Sequence, residues 1–318
     1  MLPSYIALTS LTDRIRADDL AIVAAALQTQ AVRDFAPEWG VGAVVGAFSF
    51  DAIPAGYTPL IVQDTLETEG ANGFHRTRGD DSPYIMVPYG PNWSLAASHE
   101  VLRMLANPTG SSRRPGLSRM PGQGTVEYLV DVCSPCQDVS AAYAIDGVPV
   151  SDFCTPAFFG TATRMCSFTG ALREPLEPAA NGVVTWLADD ALLYQAWADH
   201  QGRILVRGGF SPANRARMLL RELVDMLTPN RLSLLSNAAR TTRLLEAEAN
   251  ARRVRFANMT RFREDIGWRF GHASAAETLA NPVPRRQVSG TKADPAAGAE
   301  PSKSRPREAA TSTVRTAS

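Results

Sequence analysis

Residues 94–108, SLAASHEVLRMLANP, constrain the fold of this chain most, because their apolar and polar positions repeat with the period of an α-helix. The apolar side chains fall on one broad arc of that helix, at Leu95, Val101, Leu102, Met104 and Leu105. The remaining sector carries His99, Glu100, Arg103 and Asn107. The sequence therefore predicts an amphipathic helix that packs on a core and carries a His-Glu pair on its polar side.

The His-Glu pair has two interpretations. In zinc hydrolases such a pair supplies a metal ligand and the base that activates a water, and a second histidine follows four residues after the first. Here that position is Arg103, whose guanidinium stays protonated and would repel a divalent cation. By itself the pair favours an ordinary half-buried helix in which His99 is satisfied by hydrogen bonds.

Several separate segments together resemble a bacterial family of uncharacterised zinc-metallopeptidase-like proteins. The matching pieces keep the same order over about the first 200 residues. They are LQTQAVRDFAPEWGVGA at 27–43, PLIVQDTLETEGANGFH at 59–75, the Ser98-His99-Glu100 helix, AYAIDGVPVSDFCTPAFFG at 142–160 and FTGALREPLEPAANGVVTWL at 168–187. The resemblance implies a zincin-like α+β domain, in which a helix packs on a mixed, twisted sheet and the motif helix lies beneath a cleft.

The departures from the family pattern fall on its chemically important positions. The family helix reads approximately SHExxExxxDP, whereas this chain has Arg103 and Asn107 in place of the two later carboxylates. A downstream Glu-x-Cys-Asp-Pro-x-Glu segment is DVCSPCQ here, at 131–137, and keeps a carboxylate only at Asp131. The resemblance therefore leaves His99 and Asp131 as candidate metal ligands and Glu100 as the candidate catalytic base.

Three further residues are candidates for substrate binding. His75 lies in a Gly-aromatic-His sequence that matches the family, and its imidazole could line the cleft or cap a turn. Arg103 could neutralise a substrate carboxylate or an oxyanion through its fixed fork of donors. Asn107 is the third candidate, at the end of the same helix face.

Cys133 and Cys136 form a CxxC sequence with two interpretations. Two buried, reduced thiols are the favoured one, since free cysteine behaves as a small hydrophobic residue. Metal binding is the alternative, although a structural zinc site needs four ligands and the chain has four cysteines in all.

Charge and composition divide the chain into three regions. We predict a zincin-like domain at 1–205, a basic helical appendage at 206–275 and a disordered tail rich in Pro, Ala and Ser at 276–318. Residues 1–200 carry a net charge of −11, residues 201–270 carry +8, and the last 48 carry +3. The basic region could dock on the acidic domain, or contact nucleic acid or another anionic surface through residues 203–269.

The coarse pattern predicts a helix at 17–35, strands at 41–50, 58–63 and 83–88, and an irregular loop at 107–123. Two helices should follow, one from Ser211 to Pro229 and one at 231–256. No transmembrane segment and no secretory signal are expected, so we predict a cytoplasmic protein with reduced cysteines.

Three functions remain open at this point. The first is a pseudoenzyme that keeps the metallopeptidase-like fold, has lost catalytic zinc and binds a peptide or protein. The second is an active metal-dependent, peptidase-like hydrolase, with zinc as a possible cofactor, whose metal ligands are rebuilt from His75, His99, Asp131 or the cysteine pair and whose general base is Glu100. The third is an assembly or nucleic-acid-associated protein that acts through its basic C-terminal helices.

Overall fold

A computed structural model describes residues 4–66, 73–77, 82–160, 165–211 and 220–228 of the chain. These residues form an α+β fold, as predicted, and all of them belong to one compact unit. The second C-terminal helix predicted at 231–256 and the tail at 276–318 lie outside the described residues.

The first sheet has five strands in the order β2-β1-β3-β5-β4. The first four are mutually parallel and β4 is antiparallel at the edge. Their bounds are β1 Ser4–Ser10, β2 Ala43–Ala47, β3 Thr58–Gln63, β4 Phe74–Thr77 and β5 Pro83–Pro88. The predicted strands at 58–63 and 83–88 are confirmed, whereas the interior strand β1 was not predicted. It is apolar on both faces because both are buried: Ile6, Ala7 and Leu8 are completely inaccessible.

Two helices pack on the first sheet. The first, α1 (Ala17–Thr29), continues as a π-helical segment, Gln30–Phe35, and then as α2 (Ala36–Trp39). The motif helix is α3 (Trp93–Ala106), and it contacts α1, β4 and β5. Both predicted helices are confirmed. No helix in the described ranges is long and apolar enough to cross a membrane.

The second sheet is antiparallel, with the order β12-β11-β10-β7-β6. Its strands are β6 Arg113–Leu117, β7 Thr125–Leu129, β10 Val183–Leu187, β11 Leu193–Ala198 and β12 Ile204–Phe210, and a hairpin of β8 (Tyr143–Ile145) and β9 (Val148–Val150) packs on α1 and α3. The prediction of an irregular loop at 107–123 was wrong for β6, where Pro115 is tolerated because β6 lies at the sheet edge.

The C-terminal part of the described chain packs on the second sheet. The predicted domain boundary at residue 205 lies inside β12. After residues 212–219, which are not described, helix α4 (Leu220–Leu227) buries Leu223 and Val224 against Leu129 and Leu193. This helix therefore lies beside the end of β7, next to the segment that carries Asp131.

A buried hydrogen-bond network joins α3 to the π-helical segment. The Ser98 hydroxyl donates to Gln30 Oε1 at 2.6 Å and accepts the Ser151 N–H at 2.8 Å. Gln30 Nε2 in turn donates to the Tyr143 hydroxyl and to the Ser151 carbonyl. The Tyr143 hydroxyl donates to Asp34 Oδ2. Because Gln30 and Asp34 are four residues apart, both lie on the face of this segment that is directed into the core.

We expect Ser98→Ala to lower the free energy of unfolding by about 2–4 kcal/mol, because it leaves a buried acceptor on Gln30 and a buried N–H on Ser151 without a partner. Ser94→Ala is the matched control on the same helix. It removes one hydrogen bond, to the Pro149 carbonyl, and should cost about 1 kcal/mol. Urea denaturation measures both values. Equal stabilities for the two variants would show that the network does not fix α3.

Candidate functional site

The predicted polar sector of α3 is buried. His99, Glu100, Arg103 and Asn107 are each 7 % exposed or less. The loop after β7, the edge strand β4 and helix α4 supply groups that face this sector. The polar sector is therefore part of a cluster of charged side chains from which water is largely excluded.

Arg103 lies at the centre of the cluster and contacts three carboxylates. Its Nη1 donates to Glu100 Oε1 on the same helix, and its Nη2 donates to Asp225 Oδ1 on α4 at 2.6 Å. Its Nε lies 3.4 Å from Asp131 Oδ2, in the loop after β7. One guanidinium thus joins three separate segments of the chain.

Glu100 is held on its other side by β4. His75 Nδ1 lies 3.2 Å from Glu100 Oε2, and His75 Nε2 has no hydrogen-bond partner among the described residues. Gly73, just before β4, allows this close approach. A Cβ at Gly73 would lie 3.1 Å from Glu100 Cγ and 3.0 Å from Val87 Cγ1, and its φ of +153° is unfavourable for other residues. The structure therefore brings the two candidates His75 and Glu100 into direct contact.

Asp131 is fixed by the CxxC loop. Its Oδ1 accepts the N–H groups of Cys133 and Ser134 at 3.2 and 3.0 Å, and its Oδ2 accepts the Ser134 hydroxyl at 2.6 Å. These three donors hold the carboxylate beside Arg103. The loop residues thus serve to orient Asp131.

The pKa shifts in the cluster follow from burial and from Arg103. Burial, the largest single effect, would raise the pKa values of Glu100 and Asp131, but Arg103 together with His75 and His99 lowers that of Glu100, and Arg103 together with His99 and Ser134 lowers that of Asp131. Burial, followed by repulsion from Arg103, lowers the pKa of His99 to about 4, so its imidazole is neutral at pH 7. Burial, the largest single effect, lowers the pKa of Arg103, but Asp131, Glu100 and Asp225 together outweigh it and raise the pKa. The cluster is therefore an ion network with a permanent cation at its centre.

Asn107, a predicted substrate-binding residue, lies at the end of α3 and binds backbone groups. Its Nδ2 donates to the Val130 carbonyl at 3.0 Å and to the Ser112 carbonyl at 3.4 Å, and its Oδ1 accepts the Ser112 N–H. These bonds tie the end of α3 to both ends of the β6–β7 hairpin. Asn107 thus stabilises the packing of the end of α3 against the β6–β7 hairpin.

All four cysteines are free and buried. Cys133 packs in the core of the first sheet, whereas Cys136 packs in the second core with Cys154 and Cys166. Burial raises the pKa values of the Cys133 and Cys136 thiols well above the ordinary range, so both are protonated at neutral pH.

The donor atoms of this site do not fit a zinc ion. A catalytic zinc needs about three protein ligands and an open position for water. Within the described ranges, no group of three or more His, Cys, Asp or Glu side chains is arranged to hold a metal. Glu100 and Asp131 direct oxygens at Arg103, which occupies the space among them.

No protein-family model matches the chain, and neither the curated proteins nor the solved structures gave a match. Sequence reasoning missed one residue of the site, Asp225. A single carboxylate in an amphipathic helix ordinarily faces solvent, and only the tertiary packing of α4 brings it to Arg103.

A second buried carboxyl group, Asp152, lies next to Ser151. It accepts the Thr169 N–H at 2.9 Å and the Thr169 hydroxyl at 2.8 Å. Burial raises the pKa of Asp152 to about 6 in spite of these bonds, against 3.8 for an ordinary aspartate. The protonated form therefore stabilises the fold fully below pH 3.8, and this contribution is lost as the pH rises through about 6.

We expect Asp152→Asn to remove this pH dependence, because an amide does not titrate. Relative to the variant, the wild-type protein should lose about 2 kcal/mol of unfolding free energy between pH 4 and pH 7. Urea denaturation of both proteins at several pH values in this range measures the difference. Parallel stability curves would contradict the assignment of a raised pKa to Asp152.

Proposed function

We propose that this chain is a zincin-like pseudoenzyme: a metallopeptidase-like domain in which Arg103 takes the place of a catalytic zinc and which acts as a binding protein. The observation that carries the proposal is the set of three carboxylates around one buried guanidinium. Buried carboxylates need a cation to neutralise them, both in a metal site and in this cluster. Here the cation is covalently part of α3.

The architecture supports the zincin-like half of the proposal. A helix, α1, packs on a mixed sheet, and the motif helix α3 lies against the same sheet beside its antiparallel edge strand β4. A helix on a mixed sheet and a motif helix against the same sheet are features that the family resemblance implies. The four candidate residues His75, His99, Glu100 and Asp131 also interact with one another or with Arg103.

The contacts give less support to an active hydrolase. A general base needs a free carboxylate oxygen near a reacting water. Both oxygens of Glu100 are engaged, one by Arg103 and one by His75, and the side chain is 4 % exposed. Glu100 is therefore placed to neutralise Arg103, and neither of its oxygens is free to activate a water.

The nucleic-acid hypothesis depends on residues 203–269, most of which lie outside the described residues. The part that is described directs Leu223, Val224 and Asp225 toward the domain. These contacts favour intramolecular packing of α4 over binding to a polyanion.

We predict that Arg103→Ala makes the melting temperature of the protein sensitive to a divalent cation. The substitution leaves three buried carboxylates without their counter-ion, which should destabilise the fold by about 3–5 kcal/mol. Added zinc should raise the melting temperature of this variant and leave that of the wild-type protein unchanged. Arg119→Ala, which removes a partly exposed ion pair with Glu177, is the control and should show no response to zinc.

Elemental analysis of untagged wild-type protein tests the same proposal directly. We expect no stoichiometric zinc. About one zinc per chain, lost in His99→Ala, would overturn the pseudoenzyme and favour the hydrolase with rebuilt ligands.

A further inference from the structure

Strand β6 lies at the edge of the second sheet, and among the described strands it pairs only with β7. At its end the Ser118 N–H donates to the Gly124 carbonyl at 2.8 Å, so the even-numbered residues of this strand bond toward β7. Backbone groups alternate in direction along an antiparallel strand. Those of Arg113, Pro115 and Leu117 therefore point away from β7, toward the open edge.

This edge offers backbone donors and acceptors for a further strand. Within the described ranges, the N–H groups of Arg113 and Leu117 and the carbonyls of Arg113 and Pro115 make no hydrogen bond. The Leu117 carbonyl accepts the Tyr128 hydroxyl at 2.9 Å, and the Leu117 side chain is 74 % exposed. Pro115 has no N–H, which limits pairing here to a short strand whose register avoids that position.

A cavity of about 480 Å³ opens beside the second half of β6. Its wall opposite the strand consists of Phe159, Gly160, Pro175 and Leu176. Arg119 holds part of this wall, because its Nε and Nη2 donate to the carbonyls of Leu176 and Pro175, both at 3.1 Å. A strand that joins the edge directs every second side chain to one face of the sheet. The cavity is thus placed to take an apolar side chain from such a strand.

The side chains of β6 indicate the charge of a matching strand. Arg113 and Arg114 are both exposed, lie on opposite faces of β6, and form no ion pair with the described residues. They are unusual in residues 1–200, whose net charge is −11. A second copy of this chain would bring the same arginines close to one another, which like-charge repulsion opposes. Acidic side chains on the added strand would instead complement them.

We propose that the edge of β6 is a docking site for an extended acidic peptide, which joins the second sheet as an additional strand and places an apolar side chain in the cavity beside Leu176. Main-chain hydrogen bonds supply the affinity in this mode of recognition, and the cavity and the arginines supply the selectivity. The inference rests on the proposed function, to which it adds a surface and a class of partner. It uses no residue of the Arg103 cluster.

The experiment uses the full chain and two heptapeptides with blocked ends. The first alternates valine with glutamate, and the second has lysine in place of each glutamate. Calorimetry should show binding of the glutamate peptide and at least about tenfold weaker binding of the lysine peptide. At saturation, the glutamate peptide should slow hydrogen exchange of the Leu117 N–H, which gains an acceptor. Exchange of the Ser118 N–H should not change, because that group is already bonded to Gly124.

Two pairs of variants separate the backbone from the charge. Leu117→Pro removes the outward N–H and leaves the bonds to β7, so the Kd of the glutamate peptide should rise about tenfold. Leu117→Ala keeps that N–H and should bind within about threefold of the wild-type protein. Arg114→Glu should weaken binding about tenfold. Arg16→Glu reverses a charge at an exposed position before α1 and should leave binding unchanged.

Equal binding of the two peptides, or no binding of the glutamate peptide, overturns the inference. Binding that leaves exchange at Leu117 unchanged overturns it too, and this measurement on the wild-type protein does not depend on the folding of any variant. A wild-type dimer in which the Leu117 N–H is already protected would assign the edge to a second copy of the chain. A stoichiometric zinc content would refute the proposed function and alter none of these results.

Discussion

The buried charge of Arg103 is the constraint on which the arrangement of the chain around α3 depends. A guanidinium cannot lose its proton in a protein, so its charge must be neutralised where it lies. The neutralising groups come from α3 itself, from the loop that leaves β7 and from α4. The first sheet, the second sheet and the C-terminal helix are consequently tied together at one side chain.

The same constraint limits the chemistry of the site. An unpaired buried charge destabilises a fold by several kcal/mol, so the carboxylates around Arg103 cannot be released one at a time without a replacement. Glu100 cannot serve both as the partner of Arg103 and as the base for a water. The two requirements compete for the same oxygens, and in this structure Arg103 and His75 engage both of them.

Much of the first sheet could be predicted from the sequence, and the gaps have physical reasons. The strands at 58–63 and 83–88 and the helix around His99 have clear periodicity and were found at the observed positions. Strand β6 was missed because proline and glycine are read as loop signals, although an edge strand accepts them. The candidate residues on α3 were identified, but their burial was not, because a polar helix face ordinarily faces water. Asp225 could not be found at all, since its partner lies 122 residues away in the sequence.

The π-helical segment between α1 and α2 has a consequence for how this chain tolerates changes in length. A π-helical turn closes on the fifth residue instead of the fourth, so it takes up one residue more than an α-helical turn. Loss of one residue from this segment therefore converts it into an α-helical turn, whereas loss of one residue from within α1 rotates the two parts of the helix by about 100° relative to each other. The segment is thus the point in this helix at which a change of one residue in length disturbs the flanking elements least.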